Sequence, residues 1–424
     1  MKKYLHMIIP CLMAISMSAC GLMDDIVSSN DGQIENAQSI VIDEAAKGDA
    51  SNETQQTEAS DETTDNAVEE IQTTEEAQPA DALTLEQKVG QLFIVRPDAL
   101  DPSQEAAQMD DANSSGVTEL TDAMRESLEQ YPVGGVCQFS KNIVSPEQIL
   151  KFNEDLQSVS EIPMFITVDE EGGIVARLAN NDAFALPKYQ SAASVGASGN
   201  SSDAYDMGQT IGAYLKAYGF NMNFAPDADV NTNPNNPIIG TRAFSSDAQI
   251  AADMVSAAAE GFREEGILPT LKHFPGHGDT AEDSHTSLAV TDKSLEELQS
   301  CEFLPFEADT GLHAVMVGHI AAPNVTGTDT PASLCAELVS MIPDMENTLI
   351  VTDSLSMQAI TDAHPSGEAA VLAFEAGCDV LLMPVDLGAA YDAILEAVKD
   401  GTISEERLDQ SVNKILYYKQ QFCY

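Results

Sequence analysis

The chain carries 424 residues, 43% of them hydrophobic, and a formal net charge of −50 at pH 7. This apolar content can fill a sizeable core, and the length suits one barrel-sized domain with a tail or several average domains. Nucleic acid would be repelled by so acidic a protein, which excludes it as a partner.

At the N-terminus, Lys2 and Lys3 precede a short apolar stretch from Leu5 to Met17, followed by the small residues Ser18 and Ala19 and then Cys20. This reads as a secretory signal peptide over residues 1–20, too short for a spanning helix. Its end, Met17-Ser18-Ala19-Cys20-Gly21, resembles a bacterial lipoprotein cleavage box, with methionine where leucine is usual. The resemblance implies a lipidated Cys20 and an extracytoplasmic protein anchored to the cell membrane by acyl chains.

Residues 21–82 hold 17 Asp and Glu against one Lys and no aromatic residue. Such a segment buries too little apolar surface to offset chain entropy, so it is expected to be a disordered, self-repelling linker. Beyond the signal, Cys137, Cys301, Cys335, Cys378 and Cys423 are scattered, odd in number and without a CxxC pair, which fits neither a disulfide framework nor a zinc site.

From residue 83 to 424, short apolar runs alternate with amphipathic stretches, the pattern of parallel strands joined by helices. Strand cores are expected at 91–95, 133–139, 164–169, 220–225, 268–274, 314–320, 348–353 and 379–384. Helices are expected at 203–218, 247–265, 293–309, 388–399 and 404–421. Eight strands in this arrangement predict an α/β fold, a (β/α)8 TIM-type barrel in one domain. A doubly wound open sheet is the competitor, but no GxGxxG follows an early strand. Asp169, Lys272, His273, His319 and Asp353 fall at the C-terminal ends of the strands, where such barrels build their sites.

The densest segment is KHFPGHGDTAEDSH, residues 272–285, which holds three of the chain's seven histidines. On spacing alone it reads in three ways. It could be a metal site, a proton-transfer unit in which Asp283 orients and charges His285, or a polar surface loop.

That segment closely resembles the signature of bacterial β-N-acetylglucosaminidases of glycoside hydrolase family 3. VDEEGG (168–173), FAPDADVNTNPNNPIIGTRAFSSD (224–247), LIVTDSLSM (349–357) and CDVLLMPVD (378–386) resemble further motifs of the family, in order. The resemblance implies an exo-acting, retaining β-N-acetylhexosaminidase that releases N-acetylglucosamine from β-linked glycans such as peptidoglycan fragments. It implies Asp353 as nucleophile, His285 as acid/base with Asp283 as its partner, and Asp169, Arg177, Arg242, Lys272 and His273 as sugar-binding residues. No cofactor and no metal are expected, and the chain should act as a monomer on a glycan or muropeptide.

Three other readings stand beside this one. A β-glucosidase or β-xylosidase of the same family is disfavoured by the Asp283–His285 pair, and a phosphorylase would use phosphate in place of water. A metal-dependent hydrolase would use His273, His277, Asp279 and His285. With no Trp in the chain, any stacking on a sugar ring must come from other apolar or aromatic side chains, which fits a small pocket for one terminal residue.

Overall fold

The computed structural model describes residues 80–104, 114–281 and 287–424. The signal segment with Cys20, nearly all of the expected linker, and Asp283 and His285 lie outside the described residues.

Eight parallel strands form a nearly closed, TIM-like barrel. They are β1 (Phe93–Val95), β2 (Gly135–Gln138), β3 (Phe165–Val168), β4 (Met222–Asn223), β5 (Leu268–Phe274), β6 (Ala314–Val317), β7 (Leu349–Thr352) and β8 (Leu381–Leu382). β1 to β7 pair in chain order, and β1 pairs with β8, Phe93 facing Leu381. A single bridge between Val351 and Val380 joins β7 to the start of β8. Every residue of these strands is buried. Helices outside and packed side chains inside leave no wet face, so the strands are near-continuous apolar runs without alternation.

The helices begin where the sequence supplies caps. Thr84 and Gln87 form a capping box on Leu85–Gln91, and Ser145 caps Pro146–Ser158, whose first residue is a proline suited to that position. Asp247 caps the alanine-rich Ala248–Glu264, and Ser404 caps Glu405–Phe422. Ala80–Ala82, read from sequence as the end of the linker, form a single helical turn, and the buried Ala80 donates its N–H to Asn413 Oδ1 at 2.9 Å. The expected helix over 293–309 is instead two, Leu295–Ser300 and Leu304–Ala308. Pro305 lacks the N–H that a continuous helix would need there, and its ring would clash with the carbonyl of Cys301. Among the described residues no helix is long and apolar enough to cross a membrane, and the five cysteines are free thiols.

Candidate active site

At the C-terminal ends of the strands lies a cavity of about 610 Å³, within the usual range of about 300–1,000 Å³ for small-molecule sites. Among its lining residues are Asp169, Arg177, Arg242, Lys272, His273 and Asp353.

The chain leaving β3 runs Asp169-Glu170-Glu171 into a small hairpin of Glu170–Gly172 against Val175–Ala176. Extended backbone sends successive side chains to opposite sides. Asp169 and Glu171 face the cavity, while Glu170 points away and anchors the hairpin. Its carboxylate accepts the N–H groups of Leu178 (2.8 Å) and Ala179 (2.9 Å) and the hydroxyl of Tyr214 (2.8 Å).

On β5 the register against β6 shifts between Lys272 and Phe274. The interruption lets the adjacent Lys272 and His273 both line the cavity, where strict alternation would turn one of them away. Lys272 Nζ lies 2.8 Å from Asp169 Oδ1 and 2.7 Å from Glu171 Oε1. Glu171 is also gripped by Arg242, with Nε 2.8 Å from Oε2 and an Nη 2.7 Å from Oε1. This planar, two-point fit is the strong form of a carboxylate–guanidinium pair. Burial opposes the charge on Glu171, but Arg242 and Lys272 outweigh it and hold its pKa at about 2. Asp169 follows the same logic: burial raises it, while Lys272 and Arg177 bring it below the usual carboxylate range.

Behind this layer, the turn after β4 supplies Asp227 and Asp229, both buried. Asp229 Oδ2 lies 2.7 Å from His273 Nδ1, and Oδ1 accepts the His277 backbone N–H at 2.5 Å. Burial and the neighbouring Asp229 charge push Asp227 well above the usual carboxylate range, while burial raises Asp229 and the nearby His273 outweighs it and brings Asp229 below that range. Arg242 Nη2 sits 3.5 Å from both Asp227 Oδ2 and His273 Nε2.

Asp353 follows β7 directly, half-buried at the cavity wall. Its backbone N–H donates to Val317 O (2.8 Å), and its Oδ1 accepts the N–H of Ser354 (2.7 Å). The segment after β5 is pinned to the chain following β4. Asn236 Nδ2 donates to His277 O (2.7 Å) and Thr280 O (3.0 Å). Gly278 has no room for a side chain, since a Cβ there would lie 2.0 Å from Val230 O. Burial, then the nearby His273, lowers the His277 pKa and favours a neutral ring.

The structure thus brings Asp169, Arg177, Arg242, Lys272, His273 and Asp353 together on one cavity, with Arg177 an Nη2 distance of 3.6 Å from Asp169 Oδ2. Arg177 and Arg96 also lie over the Phe139 ring, their guanidinium carbons 5.7 and 4.5 Å from its centroid. Sequence reasoning missed Glu171, Asp227 and Asp229, although two of its quoted motifs contain them. The available signal was acidic residues spaced by two immediately after apolar strands.

The metal reading drew on a different set of residues from the one that converges. Among the described residues, Asp227, Asp229 and His273 offer ligand atoms within 4.8 Å of one another. Arg242 already places a cation beside that group. His277 Nδ1 engages Thr280 Oγ1 (2.6 Å), and Asp279 engages Thr232 Oγ1 (3.2 Å).

Residues 84–417 match the family model described as the glycosyl hydrolase family 3 N terminal domain. The chain is 30% identical over 337 residues to Beta-hexosaminidase A of Pseudoalteromonas piscicida, covering 72% of this chain and 56% of that protein. It is 30% identical over 342 residues to Beta-hexosaminidase LpqI of Mycobacterium tuberculosis, covering 76% and 84%. Among solved structures, a glycoside hydrolase family 3 β-N-acetylglucosaminidase from Paenibacillus sp. str. FPU-7 is similar with a TM-score of 0.72 and 38% identity, covering 80% of this chain and 62% of that one. The chain therefore spans only a little over half the length of some of these relatives.

Proposed function

The chain belongs to glycosyl hydrolase family 3, and from that premise we propose that it is an exo-acting, retaining β-N-acetylhexosaminidase releasing terminal N-acetylglucosamine from β-linked glycans, with peptidoglycan fragments as the natural source. The observation that carries this reading is the shared cavity of Asp353 with the charged set Asp169, Arg177, Arg242, Lys272 and His273. A sugar ring offers several hydroxyls that both donate and accept. A wall of alternating carboxylates and cations satisfies both roles, each charge-assisted bond contributing about 1.5–3 kcal/mol.

In the first step an Asp353 carboxylate oxygen bonds to the anomeric carbon as the bond to the leaving oxygen breaks. His285, charged and oriented by Asp283, delivers the proton to that oxygen. Water then attacks the same carbon, gives its proton to His285, and the carboxylate departs with its electron pair. An imidazole suits this exchange because its ordinary pKa of about 6.5 lets it act as acid and then base near neutrality. With Cys20 lipidated, the enzyme would work outside the cytoplasm, as a monomer anchored to the membrane.

A panel of nitrophenyl β-glycosides tests the assignment, with the N-acetylglucosaminide expected to be cleaved in preference to the glucoside and xyloside. Equal or better cleavage of the glucoside would count against it. In phosphate buffer the expected product is the free sugar, and a sugar 1-phosphate would mark a phosphorylase. A Cys20→Ala chain should lose labelled fatty acid and leave the membrane fraction.

A further inference from the structure

His319 follows β6 and is fully buried. Its two ring nitrogens meet different partners. Nε2 lies 2.8 Å from the backbone carbonyl oxygen of Ser354, and Nδ1 lies 2.7 Å from Ser333 Oγ. A carbonyl can only accept, so Nε2 carries a proton and donates it to Ser354 O, while Nδ1 shares the second hydrogen bond with the Ser333 hydroxyl. Ser333 is itself buried, and its carbonyl accepts from Cys378 Sγ at 3.6 Å. The imidazole therefore ties the short helical turn Ala332–Leu334 to the chain immediately after β7.

Ser354 is the residue through which this matters. Its N–H donates to Asp353 Oδ1 at 2.7 Å, while its carbonyl is held by His319. Next along the chain, Leu355 donates its N–H to Leu382 O on β8 (2.9 Å). A hydrogen bond from Ser354 to one carboxylate oxygen fixes the rotamer of Asp353 and stabilises its anionic form. Holding the Ser354 backbone at its other end steadies that bond.

We propose that His319, through its Nε2–H, is a positioning residue that orients the Asp353 carboxylate through the backbone of Ser354. The proposal rests on the reading of Asp353 as nucleophile. It adds a residue that sets the angle of attack through the backbone of its neighbour.

The test compares His319→Ala, His319→Gln and Ser333→Ala with the wild type on nitrophenyl N-acetyl-β-glucosaminide, together with the Kd for N-acetylglucosamine and the melting temperature. His319→Ala should lower kcat by about 10–100-fold, the loss expected from slight misplacement of a reacting group. The Kd should stay within about threefold, because the sugar-binding residues lie elsewhere. A glutamine amide can still offer an N–H to Ser354 O, so His319→Gln should recover most of the loss.

Ser333→Ala, which deletes only the hydroxyl bonded to Nδ1, should lower kcat by about 2–10-fold; it also serves if His319→Ala does not fold. The proposal is overturned if kcat stays near wild type in the folded variants, if Kd weakens in step with kcat, or if glutamine behaves like alanine. Failure of the nucleophile reading would show separately, in wild-type enzyme that forms its covalent intermediate at a residue other than Asp353.

Discussion

Asp229 holds His273 by the ring and His277 by the backbone: its Oδ2 lies 2.7 Å from His273 Nδ1, and its Oδ1 accepts the His277 N–H at 2.5 Å. One buried carboxylate thus orients a cavity-lining imidazole and fixes the start of the segment that leads to Asp283 and His285. Burial opposes its charge, but His273 outweighs that and keeps its pKa below the usual range. Asp229→Asn keeps the shape and removes the charge. It should lower kcat/KM by about 10–100-fold, the equivalent of one charge-assisted hydrogen bond. Steady-state kinetics with the nitrophenyl N-acetylglucosaminide check this, and an unchanged kcat/KM would contradict it.

Glu171 links acid stability to the site. Its folded pKa of about 2 lies below the ordinary 4.5, so the folded state binds fewer protons between those values. Its stabilisation is complete above pH 4.5 and is lost as pH falls through about 2. The difference in unfolding free energy between wild type and Glu171→Gln should be on the order of a few kcal/mol at pH 7 and shrink as pH drops below 4.5. Urea titrations at several pH values would show it, and a difference independent of pH would contradict it.

Lys419 provides the opposite case on the final helix. Burial lowers its pKa to about 7, with Gln91 Oε1 at 2.6 Å as its hydrogen-bond acceptor. The unfolded chain binds this proton more readily between pH 7 and 10.5, so the penalty is complete below 7 and fades as pH rises to 10.5. Lys419→Met should therefore stabilise the protein at pH 6.5 by about 1–4 kcal/mol, and by much less near pH 10. Denaturant unfolding of both proteins at the two pH values is the check.

The barrel was legible because each strand is buried on both sides, leaving short, mostly apolar runs. All eight expected strand cores contain an observed strand. Periodicity alone did not reveal the break at Pro305, where a missing N–H overrides an amphipathic pattern. The lining of the candidate cavity was legible where a residue type carries obvious chemistry, as with Lys272, His273 and Asp353. Glu171, Asp227 and Asp229 were hidden by the chain's acidity. In a protein with 69 Asp and Glu, a buried carboxylate looks like any solvated one until its partners are seen.

Gly278 tests whether the segment before residues 283 and 285 must be held against the chain after β4. An added Cβ would sit 2.0 Å from the Val230 carbonyl oxygen, so backbone must move. Gly278→Ala should destabilise the fold by about 1–3 kcal/mol. It should also lower kcat by roughly tenfold or more, since small displacements of reacting groups are magnified in rate. Retained kcat in the folded variant would detach this segment from catalysis.

The most direct measurement is chemical trapping. A fluorinated N-acetylglucosaminyl donor with a good leaving group should form the covalent intermediate faster than it is hydrolysed, and peptide mass spectrometry then locates the sugar. The account predicts a single adduct on the peptide spanning residues 349–357, at Asp353, and none in Asp353→Asn. An adduct on another side chain, or time-dependent inactivation that persists in Asp353→Asn, would contradict it.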